Sequence, residues 1–180
     1  LLAQCLQRAG QASAARAQRQ QALALARACA DTRTEAMVLN DIGMDADDQG
    51  DYEAAIASYG GALVLHRSLG NRFHEAGTLS NLGYAALMLG EYESACAQLD
   101  QARALHARIG ARQNEGITLI NLAMAQLHLG QASAAQTLAE QAAALLDASG
   151  DRWAEAAALR VLAQAALARS CLGDAERHFE

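Results

Sequence analysis

Apolar side chains recur along this chain at steps of three and four, the period of one face of an α-helix. Over residues 71–89 the stripe is Ala76, Leu79, Leu82, Gly83, Ala86 and Leu87; over 91–109 it is Tyr92, Ala95, Leu99, Ala102, Leu105 and Ile109. Glycine punctuates the pattern. Gly10, Gly50, Gly90 and Gly130 stand 40 residues apart, and Gly70, Gly110 and Gly150 follow the same step. Each period therefore predicts two helices of about 18 residues, turned at glycine.

The segments between the glycines match in kind. Gly50-Asp51-Tyr52-Glu53-Ala54-Ala55 corresponds to Gly90-Glu91-Tyr92-Glu93-Ser94-Ala95, and Gly10-Gln11-Ala12-Ser13-Ala14-Ala15 to Gly130-Gln131-Ala132-Ser133-Ala134-Ala135. Leu25, Leu65, Leu105 and Leu145 share one position; Cys29, Leu69 and Ile109 share another, with Ser149 the exception. Asp31, Asn71 and Asp151 stand where a short polar side chain caps free N–H groups, a rule that Ala111 breaks. Glu35, Glu75, Glu115 and Glu155 recur in a first turn, where the helix dipole favours negative charge. Self-similarity at this period marks stacked units, each burying its apolar face only against its neighbours.

The expected architecture is all-α: a right-handed solenoid of antiparallel helix pairs with about four and a half repeats, forming one domain over residues 1–180. Residues 1–9 end a first helix and 11–29 form its partner; units 30–69, 70–109 and 110–149 are complete, and 150–180 is partial. Near Ser170-Cys171-Leu172-Gly173 the register is ambiguous. Keeping the 40-residue step puts the turn at Ser170 and makes Phe179 repeat Leu99 and Tyr59; taking Gly173 as the turn lengthens the helix. The first reading is preferred. Because the chain opens at Leu1 inside a helical pattern, it is expected to be a piece of a longer protein.

Composition sharpens this picture. Hydrophobic residues make up 52% and aromatics only 4%, so the core is expected to be Ala, Leu, Ile and Val. Proline is absent, leaving the turns to glycine. The net charge is −6 with no Lys/Arg cluster, which argues against nucleic-acid binding by this segment. No apolar run is long enough to span a membrane. Cys5, Cys29, Cys96 and Cys171 are scattered singly and read as small buried residues in a reducing, cytoplasmic setting.

These residues resemble the tetratricopeptide repeat in an extended 40-residue form. The family pattern is carried by Leu79, Leu82-Gly83, Gly90, Tyr92, Ala95, Leu99 and Ala102. The preceding unit repeats it with Leu39, Ile42-Gly43, Gly50, Tyr52, Ala55, Tyr59 and Ala62; a weaker version runs from Leu119 through Leu122-Ala123, Gly130, Ala132, Ala135 and Ala139 to Ala142. The linkers at Gly70-Asn71-Arg72, Gly110-Ala111-Arg112 and Gly150-Asp151-Arg152 are similar to those of Pins/LGN-type adaptors and of the sensor halves of bacterial MalT-like regulators. The Ala-rich, Lys-free composition looks bacterial.

The resemblance implies a concave groove lined by the first helix of each pair. One groove slot holds Asp41, Asn81, Asn121 and Val161; asparagine there can both donate to and accept from a peptide backbone. A second holds Met44, Tyr84, Met124 and Gln164, and Met37, Met88 and His128 fall on the same side. Methionine suits surfaces that accept varied apolar shapes, though ordinary core filling would use it equally well. The candidate groove is therefore Asp41, Met44, Asn81, Tyr84, Met88, Asn121, Met124 and His128.

Other constellations read as structural. Asp41, Asp45, Asp47 and Asp48 make an acidic helix face, either solvated or an acidic end of the groove. Arg72, Arg112 and Arg152 each precede a glutamate by three, the spacing of a surface ion pair or, on the sharper reading, a row that catches ligand carboxylates. His66 and His106 repeat near the ends of second helices, in registers that do not converge on a metal. Gly60-Gly61 inside a helix marks close packing or a bend. No nucleophile, phosphate-loop or metalloprotease motif is present, so no catalysis and no cofactor are expected. The expectation is a protein or peptide ligand held in the groove. The alternatives are a sensor segment of an ATPase-linked regulator and self-association into homo-oligomers through open repeat ends.

Overall fold

A computed structural model of the chain describes residues 2–147 and 152–179, with side chains over 14–147 and 152–170. The described residues form helices and turns, as the all-α expectation required. They fall into two compact units, Leu1–Asn71 and Arg72–Glu180.

The first unit holds α1 (Leu2–Ala28), α2 (Thr32–Asp48) and α3 (Tyr52–Ser68). Helix α2 begins where Asp31 accepts from the Thr34 N–H at 3.1 Å, and α3 where Asp51 accepts from the Ala54 N–H at 3.2 Å. The Thr34 hydroxyl adds a second bond at 2.6 Å, and these bonds hold the Asp31 carboxyl below its ordinary pKa. Helix α2 packs on α1 and α3. The closest approach is at Gly43, where a Cβ would stand 2.5 Å from the Tyr59 ring. Tyr59 is fully buried and donates its hydroxyl to Asp47 at 2.7 Å.

The second unit holds α4 (Arg72–Met88), α5 (Tyr92–Ile109), α6 (Arg112–His128), α7 (Ala132–Asp147) and α8 (Arg152–Phe179). Each helix packs on the next, and the first helices also touch in series, α4 with α6 and α6 with α8. The linkers at 89–91 and 129–131 are too short for anything but a reversal of direction. Their glycines, Gly90 and Gly130, adopt φ of 80° and 75°, the left-handed conformation that ends a helix at least cost. The core joining α6, α7 and α8 is alanine-rich as composition required, with Ala135, Ala139, Ala142, Ala158 and Ala165 around Leu119, Leu146 and Val161. Small residues let the helix axes approach closely. In the α4–α5 seam a Cβ on Gly83 would lie 2.6 Å from Leu99 Cγ, and in the α6–α7 seam one on Gly116 would lie 2.8 Å from Leu146 Cγ.

Several expectations are corrected. No turn occurs at Gly10, because α1 runs through it; nor at Ser170 or Gly173, because α8 continues to Phe179. An interior glycine costs a helix only about 1 kcal/mol, which by itself does not force a break. Gly60 and Gly61 likewise sit within an unbroken α3; a Cβ on Gly61 would lie 3.3 Å from Leu39 Cδ1, while one on Gly60 meets nothing within 4 Å. Cys29 is exposed and Cys96 only half-buried, so neither belongs to the core. Leu25 is 59% exposed although it shares its register with the half-buried Leu65, Leu105 and Leu145. Leu69 and Ile109 are exposed in the slot they share with Cys29. The expected features at Gly150, Asp151, Ser149, Cys5, Cys171 and the Phe179 side chain lie outside the described residues.

Candidate binding groove on α4, α6 and α8

The three first helices of the second unit present neighbouring faces. One cavity of about 410 Å³ opens on them, walled by Tyr84 and Met88 from α4, Ile117, Asn121 and Met124 from α6, and Trp153 and Arg160 from α8. A second, of about 490 Å³, continues along α6 and α8 and is lined by Met124, Leu127, His128, Arg160, Gln164 and Leu167. Both have the size of an ordinary ligand site. Each helix turns its small seam residues inward and these larger ones outward. On α6, Leu119, Leu122 and Ala123 are buried, while Ile117, Asn121, Met124 and His128 follow the adjacent stripe at steps of three and four.

The side chains of the groove are ordered by contacts of their own. His128 stacks on Tyr92 with ring centroids 4.6 Å apart and planes within 3°. The Arg160 guanidinium meets the Met124 thioether, Nη2 to Sδ 3.8 Å. Phe73, on α4, is exposed and edge-on to His74 at 5.5 Å, and lines neither cavity. Trp153 is 84% exposed at the start of α8.

Tyr84, Met88, Asn121, Met124 and His128 thus line the two cavities. Asn81 is half-buried on α4 and lines neither. Asp41 and Met44 lie in the first unit, exposed on α2, where the Asn40 amide donates to the Met44 thioether at 3.6 Å. Val161 departs from its slot: it is fully buried against α7, and Arg160 beside it takes the outward place. Gln164 keeps its slot. Met37, Met44 and Met88 are exposed, so core filling does not account for them, whereas Met124 is half-buried and also packs against the core joining α6, α7 and α8.

Ile117, Trp153, Arg160 and Leu167 were missed in the sequence. Ile117 stands one helical turn before Asn121, and Trp153 shares its register with Phe73, so both carried a signal. Arg160 carried none, since its register holds Ser80 and Ile120 elsewhere.

The remaining polar clusters are internal. Arg72 pairs with Glu75 at 2.7 Å, the i,i+3 contact that the spacing implied. In the first unit Asp45 is held by Arg19 at 2.6 Å and Asp47 by Tyr59, while Asp41 and Asp48 are exposed on the acidic face. Burial raises the Asp47 carboxyl above its ordinary pKa, against the lowering by the Tyr59 bond. His66 and His106 are each 1% exposed. His106 belongs to a directional chain. The Thr118 hydroxyl donates to Asn114 O at 2.7 Å, so Ser80, 2.7 Å from Thr118, must donate to it and accept from His106 Nε2 at 3.4 Å. That order leaves His106 Nδ1 a bare acceptor, buried with no partner. Burial holds this imidazole below its ordinary pKa. Among the described residues no cluster of His, Cys, Asp and Glu could hold a metal, and no helix is long and apolar enough to cross a membrane.

Comparison with known proteins agrees with the architecture. Residues 74–148 match the tetratricopeptide repeat family, a stretch that spans α4 to α7. No curated protein sequence matches the chain. Among solved structures, the kinesin light chain nearly identical TPR-like repeats of Podosopora anserina superpose with a TM-score of 0.75 at 19% identity, covering 98% of this chain and 87% of that one. A second form of the same protein gives 0.73 at 19% identity and the same coverage. BtubC (BKLC) from P. vanneervenii gives 0.72 at 20% identity, covering 95% of this chain and 74% of its own. At these identities the likeness is one of fold: an all-α array of tetratricopeptide-like helix pairs.

Proposed function

We propose that this chain is a protein-interaction scaffold, a single repeat domain over residues 1–180 that holds a segment of a protein partner against the face formed by α4, α6 and α8. Tetratricopeptide repeats generally mediate protein–protein interactions, and the match over residues 74–148 takes in α4 and α6 of this face and stops short of α8. The observation that carries the reading is the cavity of about 410 Å³ between Tyr84, Met88, Asn121, Met124 and Trp153. Its walls are apolar and polarisable, with Asn121 able to bond a ligand backbone in both senses. The reading assigns the groove a binding role and no catalysis.

The test is a capture experiment on the intact chain beside its Asn121→Ala/Met124→Ala form, followed by calorimetry with the purified partner. A partner that binds the first and loses roughly tenfold or more in affinity for the second supports the groove. A partner held equally by both would place the interaction elsewhere on the molecule.

A further inference from the structure

The two cavities along α6 and α8 share a wall. Met124 and Arg160 line both, and the contact between them divides one from the other. Among the described residues no Asp, Glu or Lys lines either cavity, and Arg160 is the only permanent charge they bring to the two linings. It makes no ion pair among the described residues. A thioether is a weak acceptor, which leaves most of the five guanidinium donors for a ligand.

Resting on the groove reading above, we infer that the occupant is an amphipathic helix carrying two large apolar side chains seven residues apart, with a carboxylate between them that pairs with Arg160. The spacing argues for a helix. Along α8 the cavities are bounded by residues 153–160 and 160–168, and along α6 by 117–124 and 124–128. At about 1.5 Å of rise per residue their midpoints lie roughly 8–11 Å apart. Helical residues seven apart sit on one face at about 10.5 Å. An extended segment fits poorly, because its same-face side chains fall at roughly 6.6 or 13 Å. On the helix, the third or fourth residue after the first anchor lies on the same face between the two, over the shared wall.

The charge argues for a single carboxylate. The chain as a whole carries −6 and repels polyanions, so one cation in an apolar wall selects an isolated acidic group. Arginine matches a carboxylate with two parallel bonds, and a lysine in the same place would face an uncompensated guanidinium.

Trp153 supplies the readout, since it is the sole tryptophan of the chain and stands at the cavity rim. The probe is a capped Ala/Gln-based helical peptide with leucine at both anchors and glutamate between them. It is compared with the same peptide carrying lysine or glutamine at that place, and with a proline-broken version. The expected result is a blue shift of Trp153 emission with the glutamate peptide and affinity roughly tenfold above the lysine peptide, an order that reverses on Arg160→Glu and flattens on Arg160→Gln. Equal binding of all three charge forms, unchanged by either Arg160 variant, overturns the carboxylate assignment while leaving the groove standing. Equal binding of the proline-broken peptide overturns the helix. If no peptide binds by fluorescence or calorimetry, the groove reading itself falls. Arg160 is exposed, so a helical melt unchanged in both variants separates these outcomes from misfolding.

Discussion

Between α4 and α5 there is no spare room. Gly83 would clash with Leu99 if it carried a Cβ, and Ala95, Leu99 and Ala102 are wholly buried beneath it. On the outward faces of α4, α6 and α8 the opposite holds. Met88, Ile117 and Trp153 are large, apolar and exposed around open space, and Arg160 stands among them without an ionic partner in the described residues. The same helices serve both regions. Their seam admits small residues and a few large ones of fixed shape, since close packing sets the distance between axes. Their groove face carries no such constraint, because its side chains end in cavities. Stability and recognition are therefore assigned to different stripes of one helix, and a substitution should disturb one without the other.

The largest expected effect lies in the seam. Leu99→Ala removes a fully buried side chain from a packed interface and should cost about 2–5 kcal/mol, read from urea melts followed by circular dichroism. A loss no larger than that of an exposed-site substitution would mean that the seam is looser than the Gly83 contact implies.

A smaller effect is expected from the polar node in the same region. His106 has a folded-state pKa below that of a free imidazole, so its folded form releases the proton more readily than the unfolded chain does. Above about pH 6.5 both states are neutral there and the group is silent. As pH falls below that value the unfolded chain binds a proton that the buried ring resists, and stability declines until the lowered folded pKa is passed. His106→Leu, the residue type found in this register at Leu146, should flatten that decline between pH 7 and pH 5 relative to the parent chain. Parallel pH profiles for the two proteins would remove His106 as the cause.

The smallest effect on stability belongs to the groove. Asn121→Ala and Met124→Ala, each only half-buried, should shift the melt by about 0.5–1 kcal/mol while carrying the losses in partner affinity described above. A groove substitution that unfolds the chain as severely as Leu99→Ala would erase the division between the two stripes.

Much of this division was legible in the sequence. The stripe Ala76, Leu79, Gly83, Ala86 and Leu87 is the buried seam of α4, and Ala95, Leu99 and Ala102 are its counterpart on α5. Asp31 caps α2 as its position implied, and Ala111 makes no capping bond. The groove was only partly legible. Tyr84, Asn121 and Met124 surround one cavity, yet Asn81, with the same register as Asn121, lines neither cavity, and Val161 in that register is buried. Register equivalence fails on α8, where Val161 is buried in the core and the neighbouring Arg160 lines both cavities, and no residue of the earlier repeats announces that.

Periodicity alone determined that the chain makes helices, where most begin and end, and which stripe each buries, because these follow from local propensity and from the matching of small residues against large ones. Tertiary packing decided the rest. A glycine alone does not fix a break: α1 crosses Gly10 and α8 crosses Gly173, while at Gly90 and Gly130 the chain turns and the next helix packs back on the one before. Which exposed side chains enclose a cavity depends on three helices meeting, and a period read along one strand of sequence does not contain that meeting.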